Sequence, residues 1–220
     1  MTIRHHASDE TLLRLAAGHL PPGPALVVQT HLAGCPDCRA RLKVFEAVGG
    51  ALLDEMPPER MSSEAFARVM ARIDASPQPR PGAAPRARRA PPAMPEGMIV
   101  PKPLRDCEIG PWRWFGPGIR ISRVEIPGAP KAGVSLLRVG AGRKLPEHGH
   151  SGIEFTQLLH GSFSDAFGRY LPGDLAEMGA DVDHEPVVDP DGDCICLAAL
   201  EGEMVLRGLM GRLIQPFARI

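Results

Sequence analysis

No stretch of these 220 residues approaches the ~20 consecutive apolar side chains that span a bilayer. The opening Met1-Thr2-Ile3-Arg4-His5-His6-Ala7 lacks the apolar core of a secretion signal. Cysteine is scarce and odd in number, five in all, which is not the even set of a disulfide framework. A reduced, cytoplasmic protein is therefore expected. Charge of either sign is not in excess: 25 Lys and Arg stand against 26 Asp and Glu, a net charge of -1. With no basic face implied, direct nucleic-acid binding gains no support.

What the chain has in quantity is Gly and Pro, 24 of each, which points to many turns and a linker. Apolar residues at 44% and charged residues at 23% are those of a globular protein, long enough for two domains. The composition divides it into a helical region over residues 1–75, a Pro- and Arg-rich linker over 76–98, and a strand-rich region over 99–220.

In the first region, Ser8 or Asp9 caps a helix carrying Leu12, Leu15 and Ala16 on one face, with Gly18 at its end. Pro24 opens a second helix through Leu26, Val27 and Val28 to Leu32. Pro36 opens a third, with an apolar stripe of Leu42, Phe45, Val48 and Leu52, closed by Pro57 and Pro58. A fourth helix begins at Ser62 or Ser63 and places Phe66, Val69, Met70 and Ile73 on one face. That stripe either completes the bundle or grips a partner helix.

Between the second and third helices stands His31-Leu32-Ala33-Gly34-Cys35-Pro36-Asp37-Cys38. One imidazole and two thiols brought together by a helix end and the next helix start form a soft donor set that suits zinc in a closed, four-coordinate structural site. His5 and His6 upstream are the candidates for the fourth ligand. A bundle this small buries little and needs such a staple, so the metal acts as a folding ligand. A thioredoxin-like redox pair would need an α/β surrounding, and none is present.

The linker holds seven prolines and a local charge of +3, an extended spacer too short in basic residues to argue for nucleic acid. Beyond it, short strands are expected over 112–115, 119–126, 134–139, 153–159, 162–170, 194–200 and 203–206, with low helical content, as in a β sandwich or barrel. His148, His150 and Glu154 share strand parity, so two imidazoles and a carboxylate can point inward together. His160 shares that parity beside a turn and reads as a rim residue or a helper of the site. Cys194 and Cys196 share a face, as small core residues or as oxidation targets near a metal. Trp112 and Trp114 suit a core wall or a domain contact.

Gly142, His148, His150, Glu154 and Gly161 resemble the first motif of the cupin superfamily, G-x5-H-x-H-x3-E-x6-G, without an insertion. Pro172-Gly173-Asp174 with His184 resembles the second, although Asp174 stands where that motif has glycine. The resemblance implies a jelly-roll barrel in which His148, His150, Glu154 and His184 hold a divalent metal, with zinc, manganese, iron and nickel all compatible.

The zinc motif followed by the cupin motif resembles, over nearly the whole chain, the ChrR-type zinc anti-sigma factors: a small all-α zinc-binding bundle followed by an all-β cupin barrel. The resemblance favours His6 over His5 beside His31, Cys35 and Cys38. It implies a cytoplasmic, non-enzymatic regulator. The first domain would bind an extracytoplasmic-function sigma factor in a 1:1 complex, and the second would prompt release under singlet oxygen or a related oxidant. Two other readings are a metal-dependent cupin enzyme, a dioxygenase or isomerase with a regulatory zinc domain, and a DNA-binding metalloregulator. The latter is poorly served by the 8 basic and 9 acidic residues of positions 1–74.

Overall fold

The computed structural model describes residues 2–76 and 91–206. Most of the expected linker, and the end of the chain past 206, lie outside them. Four helices come first: α1 (Asp9–Ala16), α2 (Pro22–Gly34), α3 (Pro36–Glu55) and α4 (Ala65–Ala75). A short α5 (Lys102–Arg105) then precedes twelve strands: β1 (Glu108–Ile109), β2 (Arg113–Gly116), β3 (Ile119–Ile126), β4 (Ala129–Val139), β5 (His148–His150), β6 (Glu154–His160), β7 (Phe163–Asp165), β8 (Gly168–Tyr170), β9 (Leu175–Met178), β10 (Val187–Val188), β11 (Cys194–Leu200) and β12 (Met204–Leu206).

The largest sheet is antiparallel in the order β1-β3-β4-β11-β6-β9, with β2 also paired to β3. Two smaller ones run β10-β7-β8 and β12-β5. Strand pairing does not close them into a barrel among the described residues, so the expected closed barrel is replaced by three sheets. The single strand expected over 162–170 is a hairpin, β7 and β8.

Ser8 caps α1, its hydroxyl accepting from the Thr11 N–H at 3.1 Å. Helix α2 is mostly apolar and mostly buried, with Gln29 on its exposed side. Its residues Leu26, Val27, Val28 and Leu32 are all buried. They join Leu136, Phe155, Leu175, Ile195 and Leu197 of the sheet in one continuous core. The helix lies across β4, β6 and β11 and also touches α3 and α5. Gly23 is needed at this crossing, because a Cβ there would collide with the Ala132 carbonyl oxygen.

Acidic residues of the sheet hold the N-terminal segment. Asp174, buried, accepts from the backbone N–H groups of Arg4 at 2.7 Å and His5 at 3.0 Å with one oxygen, and from Leu171 N–H at 2.9 Å with the other. Glu177 accepts from the Ser8 hydroxyl at 2.7 Å, the Ser8 N–H at 3.0 Å and the Thr11 hydroxyl at 2.8 Å. Arg14 pairs with both carboxylate oxygens of Glu201. The departure from Pro-x-Gly at Asp174 thus has a physical reason: its carboxylate anchors the backbone at Arg4 and His5.

Two of the expected apolar stripes lie wholly or partly uncovered. Helix α4 buries none of its residues, and Phe66 is 77% exposed, so it does not complete the bundle. On α3, Leu42 and Phe45 pack against the core, whereas Val48 and Leu52 are exposed. The helix outruns the rest of the bundle, leaving its second half nothing to cover. Trp112 is partly buried and donates its indole N–H to the Ala93 carbonyl at 3.1 Å, but Trp114 is 76% exposed and forms no core wall. No helix among the described residues is long and apolar enough to cross a membrane.

Candidate metal centres

Two groups of four donor atoms converge, each within 4.8 Å: His6, His31, Cys35 and Cys38, and His148, His150, Glu154 and His184. The first is built at a helix junction. Pro36 starts α3, and Cys35 is its N-cap, its sulfur accepting from the Cys38 N–H at 3.4 Å. Both sulfurs therefore sit at the first turn of α3. His31, in the last turn of α2, brings Nε2 to 3.3 Å from Cys38 Sγ. His6 Nδ1 lies 3.3 Å from Cys35 Sγ and 3.5 Å from Cys38 Sγ.

Zinc bonds of about 2.3 Å to sulfur and about 2.0–2.1 Å to nitrogen place tetrahedral S and N ligands about 3.5 Å apart. The spacings found fit that edge. Burial and the neighbouring Cys35 push the Cys38 thiol up to about 11, against the pull of the Ala7 backbone and of Arg41. Burial lowers His31 below its ordinary 6.5, so it stays neutral as a ligand must. His5 is directed elsewhere: its ring lies 4.2 Å from that of Tyr170, and Nε2 is 3.2 Å from the Arg169 carbonyl.

The second group joins β5, the start of β6 and a loop. The isolated bridge between His148 and His184 brings the loop histidine in. His148 Nδ1 donates to the Pro146 carbonyl at 2.7 Å, leaving the Nε2 lone pair inward. The Nε2 atoms of His148 and His184 are 3.1 Å apart, and Glu154 Oε2 lies 2.6 Å from His150 Nε2, 3.4 Å from His184 Nε2 and 3.7 Å from His148 Nε2. Yet both nitrogens of His150 and Glu154 Oε2 are buried without a hydrogen bond. The 2.6 Å approach is close without being aligned.

Buried polar atoms left unpaired around one point are costly, and a divalent cation satisfies them together. Ligand atoms about 2.1 Å from such an ion are about 3.0–3.4 Å apart, within the observed spread. Burial alone would raise Glu154, but His148, His150 and His184 hold it well below the usual carboxylate range.

Several neighbours of these centres were not evident beforehand. Asp165 Oδ2 lies 3.4 Å from His184 Nδ1, a carboxylate behind a ligand histidine. With Glu154 it outweighs burial and raises His184 to about 9. Thr156 donates to Glu154 Oε1 at 3.0 Å, and Arg41 donates to the Ala7 carbonyl at 3.0 Å beside Cys38. Their only signal in sequence is a polar residue at ordinary strand or helix spacing. His160 is not among the converging donors.

Beside the second centre is a mostly apolar cavity with about 40 Å³ for the centres of water-sized molecules, walled by Val139, Phe163, Met178, Cys194 and Cys196. Burial pushes Cys194 up to about 12 and Cys196 well above its ordinary 9.0. Neither is a thiolate at neutral pH, which fits small core residues better than reactive ones. No disulfide links the five cysteines.

The architecture is that of a two-part metalloprotein, a helical Cys/His centre followed by a cupin-like His/Glu centre. Residues 10–39 match a putative zinc-finger family and residues 103–202 the ChrR cupin-like domain. Over 222 aligned positions spanning all of both chains, this one is 40% identical to the anti-sigma-E factor ChrR of Cereibacter sphaeroides. It is also similar to the crystal structure of Rhodobacter sphaeroides SigE in complex with the anti-sigma ChrR, with 34% identity, 91% of this chain and 100% of that one covered, and a TM-score of 0.70. The chain belongs to the ChrR family.

Proposed function

We propose that this protein is an anti-sigma factor that binds an extracytoplasmic-function sigma factor in a 1:1 complex and releases it under singlet oxygen or a related oxidative stress. Full-length similarity to ChrR supports a regulator rather than an enzyme. The observation that carries the reading to a surface is the uncovered apolar face of α3 and α4: Val48, Leu52, Phe66, Val69 and Ile73 are all exposed. Amphipathic helices with no partner in their own chain are suited to docking on the helices of another.

In this reading His6, His31, Cys35 and Cys38 hold a structural zinc that fixes the start of α3, the base from which the docking face projects. Residues 1–75 are the sigma-binding unit, 76–98 the linker and 99–220 a cupin domain whose sheets wrap as a jelly roll. His148, His150, Glu154 and His184 hold a divalent metal there, and the protein works in the cytoplasm. When bound, the first metal supplies fold and the second a centre at which an oxidant is registered.

Mixing the full chain with candidate sigma factors and core RNA polymerase tests the proposal. Stoichiometric capture of one sigma factor with loss of its transcription is expected. Undiminished transcription at excess protein, with no sigma factor captured, would overturn it.

A further inference from the structure

The outer contacts of His31 come from the other half of the molecule. His31 Nδ1 faces two acceptors, the Gly173 carbonyl at 2.9 Å and Gln157 Oε1 at 3.2 Å. The Gln157 amide is itself pinned: its Nε2 donates to the Leu158 carbonyl at 3.2 Å, which turns Oε1 toward the imidazole. With two acceptors before it, Nδ1 carries the proton, and the Nε2 lone pair is left facing Cys38 Sγ at 3.3 Å. Gln157 is 3% exposed, so its oxygen has little access to water.

We infer that Gln157 is a positioning residue of the zinc centre, holding His31 in the tautomer and orientation that bind metal, so that the strand-rich domain sets how firmly the helical domain keeps its zinc. This rests on the zinc reading of His6, His31, Cys35 and Cys38. A ligand histidine whose second nitrogen is bonded is oriented and made more basic, and loss of such a partner typically weakens metal binding by about 10–100-fold. Gly173 remains as an acceptor when Gln157 is replaced, which places the effect near the lower end.

The test uses the full chain loaded with Co²⁺, whose thiolate-to-cobalt charge-transfer absorption arises only at the cysteine-bearing centre. Excess chelator is added and the decay of that absorption followed. Gln157→Leu should lose it about tenfold faster than the parent, and Gln157→Glu, which keeps an acceptor, should restore slow loss. Gln157→Met serves if the leucine variant does not fold. Arg14→Met, which breaks the helix-to-sheet ion pair away from the metal, should change the rate by less than about twofold on the same argument.

Equal decay in the parent and Gln157→Leu would overturn the inference, as would equal acceleration by Arg14→Met, which would trace the effect to docking in general. No charge-transfer band in the parent would instead overturn the zinc reading beneath it.

Discussion

Glu154 and Gln157 stand on opposite faces of one strand, β6: Glu154 turns toward His148, His150 and His184, and Gln157 toward His31. Only two residues, Phe155 and Thr156, separate the surroundings of two metal centres. Because strand side chains alternate, a single residue of slip would exchange the two faces. The pairing of β6 with both β9 and β11 guards that register.

Asp165→Asn should weaken the second centre and spare the first. Replacing the carboxylate behind His184 is expected to reduce metal affinity by about 10–100-fold. Competition with a chelator, read by elemental analysis of the retained metal, checks this. Unchanged retention would remove Asp165 from the site.

Phe66→Ser with Ile73→Ser should separate binding from folding. Both side chains are exposed, and surface changes usually stay within about 0.5 kcal/mol each, a shift in Tm of about 4 °C or less for the pair. Sigma-factor affinity should nevertheless fall about thirtyfold or more, as when residues worth about 2 kcal/mol leave an interface. Calorimetric titration beside a melting curve distinguishes the two. A large loss of Tm would mean that α4 packs within its own chain.

Asp174→Gly restores the commoner cupin pattern and should still destabilise this protein. Three backbone N–H groups lose their acceptor, and a buried, charge-assisted anchor of this kind contributes about 2 kcal/mol or more. Tm is expected to drop by roughly 4–8 °C. An unchanged or higher Tm would show that the first residues are held by other contacts.

Zinc affinity at the cysteine centre should fall as the pH falls. The thiol of Cys38 stands at about 11 without metal, so at neutral pH zinc must displace its proton. Each unit of acidification then costs about tenfold in apparent affinity for that proton alone. His31, lowered by burial, adds a further loss only below its depressed value. Chelator competition between pH 6 and 8 measures the slope, and a flat profile would exclude thiolate ligation by Cys38.

Three donors of each set were legible from short spacing, His31 to Cys38 across a helix junction and His148 to Glu154 across a strand and its turn, whereas the distant His6 and His184 came from the family resemblance. Helices α1 and α3, β3 and β11 were legible for the same reason, their periodicity being local. The role of α2 was hidden. Its apolar residues mark burial but do not say against what, and the answer is a sheet more than 100 residues onward. Gln157 and Asp165 were illegible because an ordinary polar residue acquires meaning only from what lies across from it. Asp174 left a trace as a motif exception, with no indication that the backbone of Arg4 and His5 was its partner.

The wedging of α2 between the helices and the sheet bears on how the protein can be dissected. A polypeptide stopped at residue 76 would carry into water the side of α2 that Leu136, Phe155 and Leu197 otherwise cover. Exposed apolar area of that kind drives copies together. Such a truncated piece should therefore sediment as a concentration-dependent oligomer unless another chain shields it, while the intact protein keeps that side under its own sheet.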